Sequence, residues 1–113
     1  MQNNAERMMQ TIVFLGSEMK LKIGIEPIGG KTMDEYNFEC EFYCFPNRKV
    51  RVTKREMARG DENNYYALLD TRQLGAGMLK AKITAYVPDT YGGDDWARTE
   101  VTTVETGICI MRG

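Results

Sequence analysis

The residue types of this chain leave few routes to catalysis, and paired carboxylates are the main one. Histidine is absent and Ser17 is the only serine, so the usual general base and the middle member of a Ser-His-Asp triad are missing. A cysteine nucleophile would also lack the histidine that normally activates it. Two carboxylates can act as acid and base in hydrolysis, and the candidate pairs are Glu39 with Glu41 and Asp94 with Asp95. We expect no enzyme and assign no catalytic residue.

Both acidic pairs have a simpler interpretation as solvent-facing residues. Glu39 and Glu41 alternate with apolar residues, as on the outward face of a half-buried strand. Asp89, Asp94 and Asp95 lie in a glycine-rich loop, where carboxylates could surround a calcium ion. Their spacing does not match an EF-hand loop, so we expect an exposed loop, no bound metal and no cofactor.

Basic residues cluster between Arg48 and Arg59 and could hold phosphate groups. Alternation places only half of them on one face, and a charged hairpin edge that prevents strand-on-strand aggregation explains them equally well. Glu39 and Glu41 could neutralise them by cross-strand pairing. The whole chain has 15 basic and 16 acidic residues, a formal net charge of −1. We therefore expect neither a nucleic-acid partner nor a membrane partner.

The three cysteines are expected to be reduced. Cys40 and Cys44 lie four positions apart on one predicted strand, roughly 13 Å at the usual rise, which is beyond disulfide reach. Both share a face with Phe38 and Phe42, so we interpret them as small buried hydrophobic residues. Cys109 could meet one of them across the core.

Four stretches that alternate apolar and polar residues determine the predicted fold. They lie at residues 18–26, 37–45, 65–70 and 78–87, and further strands are predicted near 50–53, 97–105 and 107–111. One helical turn is expected after Asp70, and a bulge or kink at Gly107. The fold class is all-β, an immunoglobulin-like antiparallel β-sandwich of seven or eight short strands, with a small closed barrel as the alternative.

The length of 113 residues fits one domain. Residues 1–7 are expected to form an N-terminal arm, and residues 8–113 a single β-sandwich domain. The first ten residues are polar and lack the apolar segment of a secretory signal, so we expect a cytoplasmic origin.

Exposed apolar and aromatic residues are the candidate interface. The segment from Met8 to Leu15 is apolar and could add as an edge strand to a neighbouring subunit. Aromatic residues on predicted outward faces or in loops could supply anchors. The candidate interface residues are Met8, Met9, Ile12, Phe14, Tyr43, Tyr86, Tyr91 and Trp96.

Several sequence blocks resemble a group of phage proteins. The blocks lie at residues 37–42, 66–71, 74–77, 83–89, 98–101 and 106–108. They resemble small β-sandwich virion structural proteins, associated with tail, fibre or collar, of gut Bacteroidales phages and prophages. The resemblance implies a non-enzymatic assembly or adaptor subunit at a collar, baseplate or fibre attachment. It implies a virion location after synthesis in the bacterial host cytoplasm, with other virion proteins and further copies of the chain as partners.

Two alternatives from other functional classes remain open. Trp96 and Tyr91 beside Asp94 or Asp95 could form the sugar platform of a carbohydrate-binding module. A phosphate-bond enzyme that uses the aspartate loop is the third hypothesis.

Overall fold

The protein is an all-β molecule with two sheets. In a computed structural model that describes residues 11–61 and 64–113, 60% of the residues are in strands and 9% are helical. The strands are β1 Thr11–Phe14, β2 Glu18–Gly24, β3 Asn37–Tyr43, β4 Lys49–Thr53, β5 Ala58–Arg59, β6 Asn64–Asp70, β7 Gly77–Pro88 and β8 Ala97–Met111.

One sheet has five strands and the other has three. The five-stranded sheet has the order β1-β8-β7-β3-β4, and the three-stranded sheet has the order β2-β6-β5. All paired neighbours are antiparallel except β1 and β8, which are parallel. The prediction of a wholly antiparallel sandwich is therefore wrong at this edge. The chain turns at Gly16, with a φ of 106°, and β2 joins the other sheet, so β1 and β2 do not form a hairpin.

The core lies between the two sheets and follows the predicted alternation. Phe38, Cys40 and Phe42 of β3 are at most 1% exposed, and they face Ala67 and Leu69 of β6 in one buried cluster. Burial raises the pKa of the Cys40 thiol to about 12. The prediction that Cys40 behaves as a buried apolar side chain is confirmed. Cys44 and Cys109 are partly buried, and all three cysteines are free.

Short 3-10 turns connect several strands. The turn predicted after Asp70 is confirmed at Thr71–Gln73, where the Asp70 carboxylate accepts a hydrogen bond from the Arg72 N–H. Two further turns, Met33–Glu35 and Lys54–Glu56, were not predicted. Both have a capping box, in which a threonine is followed three residues later by glutamate.

The C-terminal strand is longer than predicted. The two strands expected at 97–105 and 107–111 are one strand, Ala97–Met111. Gly107 has a φ of 77°, and the pairing register with β7 shifts between Met78 and Lys80. The predicted irregularity at Gly107 is thus confirmed, but it bends one strand instead of separating two.

The N-terminal segment joins the chain's own sheet. Thr11–Phe14 pair with β8 from Ile108 to Met111, and the Leu15 N–H donates to the Met111 carbonyl at 2.7 Å. One side of residues 11–14 therefore pairs with β8 of the same chain, and the expected pairing with a neighbouring subunit is left to their outer side. The earlier part of the segment, including Met8 and Met9, lies outside the described residues.

A charged network ties the Met33–Glu35 turn to β5 and β6. Arg59 donates two hydrogen bonds to the Asp34 carboxylate, at 2.8 and 2.6 Å, and the Tyr65 hydroxyl donates a third. These bonds hold the pKa of Asp34 well below its usual range. Lys54 donates to the carbonyls of Met33 and Tyr36 at 2.8 and 2.7 Å. The network therefore fixes this turn against the three-stranded sheet.

Asp34→Asn should therefore lower the free energy of unfolding at neutral pH and flatten its decline in acid. The folded state lowers the pKa of Asp34, so this carboxylate stabilises the fold above about pH 4 and loses that effect as the pH falls toward the folded pKa. Urea unfolding between pH 2 and 7 should show a difference between wild type and variant that narrows as the pH falls below about 4. Glu41→Gln, on an exposed face, is the control and should change little; a constant Asp34 difference at all pH values would contradict this account.

Candidate interaction surfaces

The structure separates the candidate interface residues into three places. Ile12 and Phe14 lie on the edge strand β1, and Tyr91 and Trp96 lie in the loop between β7 and β8. Tyr43 and Tyr86 lie on the outer face of the five-stranded sheet, while Met8 and Met9 fall outside the part of the chain that the structure describes. The predicted residues therefore do not form one continuous surface.

The first place is an apolar patch around β1, which we call the β1 patch. Phe14 pairs with Met111, and Cys109 lies between Ile12 on one side and Met78 on the other. The Phe45 ring lies near Gly75 and Gly77, close to the start of β7. The exposed large members of the patch are 40–55% exposed and are Ile12, Phe14, Phe45, Met78 and Met111.

Two members of the β1 patch were missed in the sequence. Met78 follows Gly77 at the start of β7, on the face opposite buried Leu79, and Met111 follows buried Ile110 at the end of β8. Period-2 alternation, extended to these two positions, is compatible with outward faces for both. It could not show that those faces meet, because the pairing of β1 with β8 was not predicted.

The strand at the centre of this patch is an edge without charge. β1 consists of Thr, Ile, Val and Phe, and nothing in the described chain pairs with its outer side. The other edge strands each carry charge: β4 has Lys49 and Arg51, β2 has Lys20 and Lys22, and β5 is a two-residue strand with an arginine. Charged side chains and short length normally protect sheet edges from pairing with other chains. β1 lacks that protection.

The outer face of the five-stranded sheet is polar between its two tyrosines. The Glu39 carboxylate accepts hydrogen bonds from Arg51 at 3.1 and 2.6 Å, which lowers the pKa of Glu39. Glu41 lies 3.9 Å from the Lys49 ammonium group. The predicted cross-strand neutralisation of the basic cluster is therefore confirmed for these pairs.

Tyr43 and Tyr86 do not form a joint aromatic surface. Tyr43 lies opposite Lys80, and Tyr86 lies opposite Asn37 at the other end of the same strand pair. The six-residue separation corresponds to roughly 20 Å. The Lys49 ammonium group lies 5.4 Å from the centre of the Tyr43 ring.

The third place is the loop between β7 and β8, where Tyr91 and Trp96 meet. Their ring centres are 5.4 Å apart, and the ring planes are inclined by 53°. Tyr91 is 88% exposed and Trp96 is 38% exposed. The Asp89 carboxylate accepts hydrogen bonds from the Tyr91 N–H and from Arg98, which fixes the base of the loop. A cavity of about 360 Å³ beside the loop is lined in part by Lys31, Asp94 and Arg98.

Gly92 is required for the packing of this loop. A Cβ atom at Gly92 would lie 2.3 Å from the Trp96 Cγ, far inside van der Waals contact. Gly92→Ala should displace the indole of the single tryptophan and shift its fluorescence to longer wavelength. Asp95→Ala, at an exposed loop position beside Trp96, is the control. An unchanged spectrum in Gly92→Ala would contradict the described packing.

Three of the acidic residues considered for chemistry lie beside basic side chains. Glu39 and Glu41 face basic partners on the neighbouring strand, and Asp89 is held by Arg98. In residues 11–61 and 64–113, no three acidic or cysteine side chains are grouped so that they could hold a metal ion. No helix in those two ranges is long and apolar enough to cross a membrane.

Comparisons with protein-family models, curated proteins and solved structures give no match to this chain. Function is therefore inferred from the β1 patch, the aromatic loop and the arrangement of the two sheets.

Proposed function

We propose that this chain is a non-enzymatic structural protein of a phage virion. It acts as an assembly or adaptor subunit at a collar, baseplate or fibre attachment. Its partners are further copies of itself and other virion proteins. The observation that carries the proposal is the uncharged, apolar edge strand β1 with exposed hydrophobic residues beside it.

We further propose an immunoglobulin-like topology for the sandwich. Immunoglobulin sandwiches place the second, fourth and fifth canonical strands, B, D and E, in one sheet and strands C, F and G in the other. Here β2, β5 and β6 correspond to strands B, D and E and share one sheet. Strands β3, β7 and β8 correspond to C, F and G and share the other sheet, in which β4 is an additional edge strand. This strand order supports the assignment. Domains of this architecture commonly serve as binding and adhesion modules.

The occupant of the β1 patch is a second copy of this chain. Two β1 strands related by a twofold axis can pair edge to edge, because each offers the same unpaired N–H and C=O groups. Ile12 and Phe14 would then bury their exposed surface against the equivalent residues of the partner. A self-complementary contact of this kind needs no charged partner, in keeping with an edge of Thr, Ile, Val and Phe.

The aromatic loop is the proposed contact for a different virion protein. It connects the end of β7 to the start of β8, whereas β1 pairs with the last residues of β8. The 15 residues of β8 separate the two surfaces. An adaptor needs two such separate surfaces, one for its own ring or dimer and one for its neighbour.

Protein mass spectrometry of purified particles from the phage or induced prophage that encodes the chain tests the virion assignment. We expect the chain in the particles at a fixed ratio to the major structural proteins, after treatment that removes loosely bound host proteins. A chain found only in the host lysate, and absent from intact particles, would overturn the assignment.

The aromatic pair also favours a second candidate, a carbohydrate-binding module. Tyr91 and Trp96 are adjacent exposed rings, and carboxylate and basic groups line the cavity beside them. A glycan array would distinguish the two functions, with Trp96→Ala as the test variant and Tyr86→Ala as the aromatic control. Glycan binding lost only in Trp96→Ala would favour this candidate for the loop; no binding to any glycan would exclude it.

A further inference from the structure

One side of the sandwich is open between β2 and β8. β2 is the outer strand of its sheet and pairs only with β6 among the described strands. Two adjoining cavities of about 250 and 210 Å³ lie between β2 and the inner face of the other sheet. We call them together the β2–β8 groove. Its apolar lining residues are Leu21, Ile23, Ile25, Ile28, Ile83 and Val104.

Val104 shows that the groove is an uncovered part of the core. It pairs with Ala81, which faces inward and is 5% exposed, yet Val104 itself is 39% exposed. Ile83 and Leu21 also face inward but are only partly buried. Val101, three positions earlier on β8, lies on the opposite face of the sheet beside Thr84. The described residues therefore leave this inward-facing valine incompletely covered.

The start of β1 leads directly to this groove. Thr11, the first described residue, lies opposite Ile108, and β1 runs parallel to β8, so the amino end of β1 points toward the part of β8 that holds Val104 and Thr102. These lie four and six positions before Ile108, roughly 13 and 20 Å at strand rise. Ten extended residues span at most about 33–36 Å. Residues 1–10 therefore reach the whole groove.

We propose that residues 1–10 of the same chain dock in the β2–β8 groove. Met8 and Met9 supply apolar side chains, and methionine adapts well to irregular gaps. The free edge of β2 offers backbone groups with which an extended segment can pair. The covalent link to β1 gives the segment a high effective concentration at its own groove.

This docking is separate from the proposed assembly contact. The groove lies between the two sheets, whereas assembly uses the outer side of β1. A docked segment completes the core along one side and leaves the outer edge of β1 free for a second copy. The inference can fail while the assembly proposal stands, and the reverse is also possible.

Hydrogen exchange of the full chain, followed by mass spectrometry, tests the docking. We expect amides in residues 1–10 of the wild type to exchange at least tenfold more slowly than in an unstructured peptide of the same sequence. Val104→Lys should remove that protection by placing a charge in the groove. Val101→Lys changes the same residue type on the opposite face and should leave the protection unchanged.

Continued protection of β3, Asn37–Tyr43, shows that each variant is folded. Peptide-like exchange of residues 1–10 in the folded wild type would overturn the proposal, as would protection that survives Val104→Lys. Protection that appears only at concentrations where light scattering detects oligomers would assign the groove to a neighbouring copy and refute docking within one chain.

Discussion

Phe38→Ala is expected to destabilise the fold by about 3–5 kcal/mol, the usual cost of removing a fully buried phenylalanine. Phe38 is 1% exposed. Its ring makes edge contacts with Tyr65 and Tyr36, with ring centres 5.2 and 6.1 Å away. The Lys54 ammonium group lies 5.6 Å from the ring centre. The substitution therefore removes one ring from an aromatic cluster and leaves a cavity beside the charged network of Asp34.

Phe45→Ala is the matched control for this prediction. Phe45 is 48% exposed, so its removal should cost less than about 1 kcal/mol, as is usual for surface positions. Urea unfolding followed by circular dichroism measures both free energies. Equal losses in the two variants would contradict the described core, in which Phe38 is central and Phe45 belongs to the surface.

Ile12→Lys is expected to weaken self-association by roughly 100-fold or more, a loss typical of a central interface residue. Ile12 is 53% exposed in the single chain, so lysine is tolerated before association. In an assembly formed through β1, the ammonium group would have to leave water against an apolar partner. The dissociation constants of wild type and variant can be compared by sedimentation.

Leu68→Lys provides the control for Ile12→Lys. Leu68 is 66% exposed and lies on β6, in the other sheet. It is as apolar and as accessible as Ile12 but belongs to a different surface. If Leu68→Lys dissociated the assembly while Ile12→Lys did not, the interface would have to be assigned to the three-stranded sheet instead of β1.

The sequence predicted most of the strands and their buried faces because alternation is a local property, but it did not predict the two-residue strand β5. Phe38, Cys40 and Phe42 are buried because every second residue of a strand lies on the same face. Glu39 and Glu41 lie beside basic residues, as expected. Which strands are neighbours depends on contacts between distant segments. The parallel pairing of β1 with β8 could not be deduced for that reason.

The interface was only partly predictable, because the sequence does not show which strands are neighbours. Ile12 and Phe14 were identified from their residue type, but Met78 and Met111 belong to the same patch only because β1, β8 and β7 are neighbours. Tyr91 and Trp96 were foreseeable because only four loop residues separate them. The two unpredicted 3-10 turns each carry a local sequence signal, a threonine followed three positions later by glutamate.

The mass of the wild-type protein in solution, measured by light scattering over a concentration series, tests the central claim most directly. That claim is that the uncharged edge strand β1 joins copies of this chain. We predict a dimer or larger closed oligomer with a defined mass, which gives way to the monomer on dilution. A monomer of 12.9 kDa at every concentration, including millimolar, would contradict self-assembly through β1.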